Sequence, residues 1–179
     1  MDDELAKTVS DFETLASLRA KLRENLEIRR ARQVENAAKS KLLADLVSRH
    51  EFPVPATLVE IQLDHKLEAI VTQLVAKGID PRATQVDWRQ IREEARPEAE
   101  REVRGSLILE RVAEAEKLEV SEEEVDDLIR EMGAERGEAP AALKRRLTRE
   151  GRLDTLKSSR RNQKALELIY RNAKITRKS

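Results

Sequence analysis

The sequence contains no cysteine, only five glycines and five prolines, and one Trp, one Tyr and two Phe in 179 residues. Without cysteine there is no disulfide framework and no thiolate zinc site. Its two histidines, His50 and His65, give little to a metal. Asp64-His65-Lys66 has no second histidine four residues away with a glutamate beside the first, and no Glu-x-x-His pair occurs, so the zinc-protease and di-iron bundle patterns are both excluded. The glycines stand apart from one another, and neither a Gly-x-x-x-x-Gly-Lys phosphate loop nor a Gly-x-Ser-x-Gly nucleophile turn is present. No apolar run approaches the roughly 18 residues of a membrane span, and Met1-Asp2-Asp3-Glu4 is unlike the cationic start of a signal peptide. These absences predict a cytoplasmic chain with no metal and no cofactor.

Net charge is also missing, since 35 Lys and Arg balance 35 Asp and Glu. Nucleic-acid binders and polybasic membrane modules carry a basic excess. The basic runs Arg29-Arg30, Lys144-Arg145-Arg146 and Arg160-Arg161 also lack the stacking aromatics of single-strand binders. The acidic runs Glu122-Glu123-Glu124 and Asp126-Asp127 do not make a catalytic pair, because adjacent helix positions diverge. Neither nucleic acid nor membrane is expected as a partner.

What remains is charge, 39% of all residues, threaded by aliphatic stripes at helical spacing. Phe12, Leu15, Leu18, Leu22 and Leu26, then Val34, Ala38, Leu42, Leu43, Leu46 and Val47, predict one helix from about Ser10 to Arg49, on the order of 50 Å long. Ser10 and Glu13 have the spacing of a capping box. Pro53 and Pro55 stop this helix, and Pro55 suits the first turn of the next. The second helix carries Leu58 to Val75 and ends near Gly78, with Pro81 beyond. A third is predicted from about Gln85 through Ala113, kinked or split at Pro97, with Ala95, Ala99 and Gly105 small enough for close approach. Helices two and three should form an antiparallel hairpin. Ser121 and Glu124 predict a capped fourth helix with Val125, Leu128, Ile129 and Met132, ended by Gly133, Gly137 and Pro140. Leu143, Leu147, Leu153 and Leu156 follow, and Ala165 to Ile175 closes the pattern before the tail Arg177-Lys178-Ser179, which is expected to fray. No strand-type alternation and no repeat is found. The fold class is therefore all-α, an elongated multi-helix domain with a long spine helix and two helical hairpins.

Aliphatic stripes in hairpins exceed what the chain can bury, and exposed apolar patches mark interaction surfaces. Aliphatic area beside mobile charge suits weak binding of varied unfolded chains. The competing reading is a structural or adaptor protein whose stripes pack a folded partner or a second copy, although Pro53, Pro55, Pro97 and Pro140 break any long coiled coil. Self-association fits both readings.

The order of segments resembles the C-terminal domain of the trigger factor family of ribosome-associated chaperones. DDELAKTVSDFETLASLRAKLRENLE is similar to the start of that domain and its long helix. EFPVPATLVEIQLDHKL resembles its Val-Pro turn and first arm, RPEAEREVRGSLILERVAEAEKLEVSEEEVDDLI the return helix and second arm, and LKRRLTREGRLDTLKSSRRNQKALELIYRNAKI its closing helices. The resemblance implies a body helix over residues 1–51, a first arm over 52–116, a second arm returning to the body over 117–171 and a tail over 172–179. It implies an ATP-independent chaperone that binds unfolded or nascent polypeptides in an apolar cradle. Leu58, Leu63, Leu67, Ile70 and Leu74 in the first arm, and Val125, Ile129, Met132 and Leu147 in the second, are the implied contacts. The family's ribosome-docking and prolyl isomerase domains have no counterpart in these residues. The chain therefore reads as an excised domain, without isomerase activity and without a ribosome contact of its own.

Overall fold

The computed structural model describes residues 3, 12, 14–81 and 86–174. Among these the architecture is all-α, with six helices and no strand: α1 (Leu15–Arg49), α2 (Ala56–Ala76), α3 (Trp88–Ala115), α4 (Glu122–Arg136), α5 (Pro140–Arg149) and α6 (Leu153–Asn172). The predicted capping pair Ser10 and Glu13, the predicted start at Gln85, Ile175 and the tail 177–179 lie outside the described residues. The described residues fall into two units divided between Leu42 and Leu43, a point inside α1.

The helix ends follow the sequence punctuation. Pro55 is the N-cap residue of α2, in extended backbone that a proline ring already favours. At the other end Gly78 takes φ +74°, so the Ile79 amide can return to the Leu74 carbonyl at 2.9 Å. α4 opens with the expected reciprocal cap, the Ser121 hydroxyl accepting from the Glu124 amide and the Glu124 carboxylate accepting from the Ser121 amide.

One expectation is narrowed and one corrected. Of the expected kink or split at Pro97 the split is absent, since α3 runs through it. A proline removes one intrahelical donor, and the turn around it is held by Ala95 and Ala99 packing on α2. Gly133 does not end α4, which continues to Arg136 and closes on Gly137 at φ +64°. Gly133 serves close approach instead: a Cβ there would sit 2.6 Å from the Glu138 carbonyl oxygen, where the chain turns toward α5.

Among the described residues three small cores hold the second unit. α2 and α3 enclose Val59, Leu63, Ala99 and Val103, with Val54, Ala95 and Leu107 at the margin. α4 and α5 enclose Val125, Ile129, Leu143 and Leu147, backed by Val120, Met132, Leu153 and Leu156. α3 and α6 meet at Leu109, Ala113 and Ala165, joined by Leu43, Val112, Leu118, Leu166 and Ile169. The missing side chain at Gly105 lets Leu43 and Val47 of α1 come to 3.5 Å from where its Cβ would stand.

Candidate interaction surface

The first hairpin is antiparallel, as expected. Gln62 pairs with Glu102 and Lys66 with Glu98, so partners on α3 fall in number as those on α2 rise. Its edge is a ladder of ion pairs. Arg92 reaches Glu60 at 2.6 Å and Asp64 at 2.7 Å, Arg96 reaches Glu60 at 2.7 Å, and Lys66 reaches Glu102 at 2.9 Å. Hydrogen bonds from Arg92 and then Arg96 hold the Glu60 carboxyl below its ordinary value, and the bond to Glu102 raises Lys66. Arg104 fixes the approach to the hairpin. Its Nε donates to the Phe52 carbonyl at 3.3 Å and its guanidinium lies 5.9 Å from the Phe52 ring centroid.

The second hairpin is tied down in the same way. The Glu124 carboxylate accepts from Lys164 on α6 at 2.9 Å, and Arg146 bonds Glu138 at 2.9 Å. These bonds lower Glu124, chiefly through Lys164, and Glu138, chiefly through Arg146. A carboxylate with a lowered folded value stabilises the fold above its ordinary titration and loses that contribution as acid protonates it. Stability against urea should therefore be flat from about pH 8 to 6 and decline below about pH 4.5. The Glu60→Gln variant should show a shallower decline, readable from urea midpoints across the pH series.

The aliphatic candidates divide by helix phase. At about 100° per residue, Leu67, Ile70 and Leu74 share the face of α2 that carries Val59 and Leu63, and all three are half-buried. Leu63 is wholly inside the hairpin core. Leu58 lies off that face and is 39% exposed. In the second hairpin Val125, Ile129 and Leu147 are buried between α4 and α5, and Met132 is half-buried against them. Four of the nine implied contacts are therefore core in this conformation and build the hairpins from within.

Apart from Leu58, the exposed aliphatic residues of the first hairpin form a different set. Ile61 is 47% exposed and Val75 59%, and Val71 and Ile79 accompany them. Beside them Leu67 and Val71 line an open groove with Asp64, Glu68 and Thr72. Val71 and Val75 were visible in the sequence as members of the α2 stripe out of phase with Leu63, whereas Ile61 was not singled out there. No large hydrophobic residue among the described residues of α4, α5 and α6 is comparably exposed. Among the described residues such side chains occur elsewhere only on α1, at Leu22, Leu26, Ile28 and Val34. The arrangement offers aliphatic area framed by charge. Among the described residues no three carboxylate or histidine groups converge on a metal-sized site, and no helix is long and apolar enough to cross a membrane.

Residues 14–171 match the family model for the C-terminus of bacterial trigger factor protein. The chain is 38% identical over 162 residues to trigger factor of Koribacter versatilis (strain Ellin345), covering 90% of this chain and 37% of that protein. It is 36% identical over 177 residues to trigger factor of Anaeromyxobacter sp. (strain Fw109-5), covering 98% of this chain and 41% of that protein. The chain thus spans well under half the length of these relatives. Its fold is similar to a solved structure described as promiscuous substrate recognition in folding and assembly activities of the trigger factor chaperone. That likeness has TM-score 0.55 at 21% identity, over 95% of this chain and 42% of the other. A second solved structure, of trigger factor domains from Thermotoga maritima, aligns with TM-score 0.56 at 17% identity, over 78% of this chain and 83% of the other.

Proposed function

Because the chain belongs to the trigger factor family and matches its C-terminal domain, which is separate from the family's prolyl isomerase domain, we propose that it is an ATP-independent chaperone module. It binds unfolded or nascent polypeptides by many weak aliphatic contacts, keeps them from aggregating and releases them by simple dissociation. The observation that carries this reading is the exposed aliphatic set on α2, Leu58, Ile61, Val71 and Val75, standing beside a dense ion-pair ladder. Aliphatic side chains accept varied sequences because they demand no hydrogen-bond geometry. The surrounding charge keeps the loaded complex soluble.

In this reading residues 52–116 are the first arm, 117–171 the second arm with its return, and 1–51 the body. Leu58 contacts clients directly together with Ile61, Val71 and Val75, flanked by the half-buried Leu67, Ile70 and Leu74, with Met132 at the edge of the second arm. Leu63, Val125, Ile129 and Leu147 act by holding the arms in shape. The module works in the cytoplasm, self-associates through the aliphatic arm surface, and meets the ribosome only through a domain outside these residues. The test is aggregation of a chemically denatured client, followed by light scattering. Suppression at equimolar to several-fold excess of the chain is expected. No suppression at that excess, together with no binding to any unfolded chain, would rule the reading out. Saturable binding to a folded protein alone would support the adaptor reading.

A further inference from the structure

The first half of α1 carries a second exposed surface with a different charge. Projected at about 100° per residue, Leu15, Leu18, Leu22 and Leu26 lie within an arc of about 80°. Leu22 is 51% exposed and Leu26 62%. In this projection every charged residue on or beside the arc is basic. Arg29 stands in line with the leucines, Arg19, Arg23 and Arg30 border one side, and Lys21 and Arg32 border the other. The carboxylates of this stretch, Glu24, Glu27 and Glu35, fall on the opposite side. Among the described residues none of the five arginines is in an ion pair, whereas Lys21 bonds Glu24 at 2.8 Å.

We propose that this face docks an acidic amphipathic helix of a partner protein, one with an aliphatic stripe edged by Asp or Glu. A leucine seam at three- and four-residue steps is the geometry that packs a second helix. The unpaired arginines at its borders supply the register and the sign. The face fits its own copy poorly, because a two-fold contact sets the same patch against itself and brings arginine against arginine. It also fits a lipid surface poorly. Its arc is narrower than the roughly 100° of a broad apolar face, and no aromatic residue lies between Leu15 and Glu35 to anchor an interfacial helix.

The test uses the full chain and a fluorescent synthetic helix of about three heptads, with leucine at a and d and glutamate at e and g. Anisotropy titration should show saturable binding that weakens in about 0.5 M salt. The triple variant Arg19→Glu, Arg23→Glu, Arg30→Glu should weaken it on the order of tenfold or more. So should Leu22→Ser with Leu26→Ser. The same peptide with lysine at e and g should not bind. Equal affinity for the two peptides, or no response to either α1 variant, would overturn the proposal. So would preferential partition of the chain onto phosphatidylglycerol vesicles, or a concentration-dependent dimer abolished by the leucine variant.

Discussion

Replacing Leu143 by alanine is expected to cost about 2–5 kcal/mol and to open the second hairpin. Leu143 has no exposed surface and sits among only three other buried residues, Val125, Ile129 and Leu147. A core this small has no redundancy, and the two helices that form it, of 15 and 10 residues, are too short to persist alone. The loss should be local. The first hairpin has its own core at Leu63 and Ala99, and α6 meets α3 through Leu109, Ala113 and Ala165. Native-state hydrogen exchange should show amides of α4 and α5 losing protection while those of α2 and α3 keep theirs. Gly133→Ala reaches the same hairpin by another route, because its methyl group would meet the Glu138 carbonyl oxygen at 2.6 Å. Loss of protection spread evenly over all six helices would show that the chain unfolds as one unit and that this division into cores is wrong.

Much of this architecture could be read directly. Pro53, Pro55, Gly78, Gly137 and Pro140 act locally through backbone dihedrals, so their effect is written in the sequence itself. The hairpin of α2 and α3 followed from the same marks. At two residues the local rule was modified by packing. Gly133 carries the signature of a helix end, yet it marks a point where another backbone approaches. Pro97 lacks a donor, and the helix continues because Ala95 and Ala99 bury against α2. The interaction surface was harder to read for a tertiary reason. Periodicity shows that α2 has aliphatic residues at helical steps, but which phase is buried depends on where α3 lies. Leu63 and Ile61 are two residues apart and equally apolar, yet one is core and the other surface. In the second hairpin the stripes on α4 and α5 are consumed by each other, so Val125, Ile129 and Leu147 left no surplus.

That division gives the sharpest test of the proposed client surface. The combined variant Leu58→Ser, Ile61→Ser, Val71→Ser, Val75→Ser is expected to lose aggregation suppression while remaining folded. Each side chain is already exposed, so little buried area is lost, and surface substitutions usually change stability by about 0.5 kcal/mol or less. Client binding should suffer far more. Each aliphatic contact withdrawn from a client removes roughly 1 kcal/mol of apolar burial, and four together predict a loss of affinity on the order of a hundredfold or more. Leu63→Ala provides the contrast. It should destabilise the first hairpin by about 2–5 kcal/mol and reduce activity only in proportion to the hairpin's unfolding, so that cooling or an osmolyte restores it. The exposed-face variant should not recover under those conditions. Two measurements separate the cases: the urea midpoint, and the excess of chain needed to halve light scattering from a denatured client. If the exposed-face variant keeps full suppression, this face of α2 is not the client surface, and the aliphatic face of α1 becomes the one to vary next.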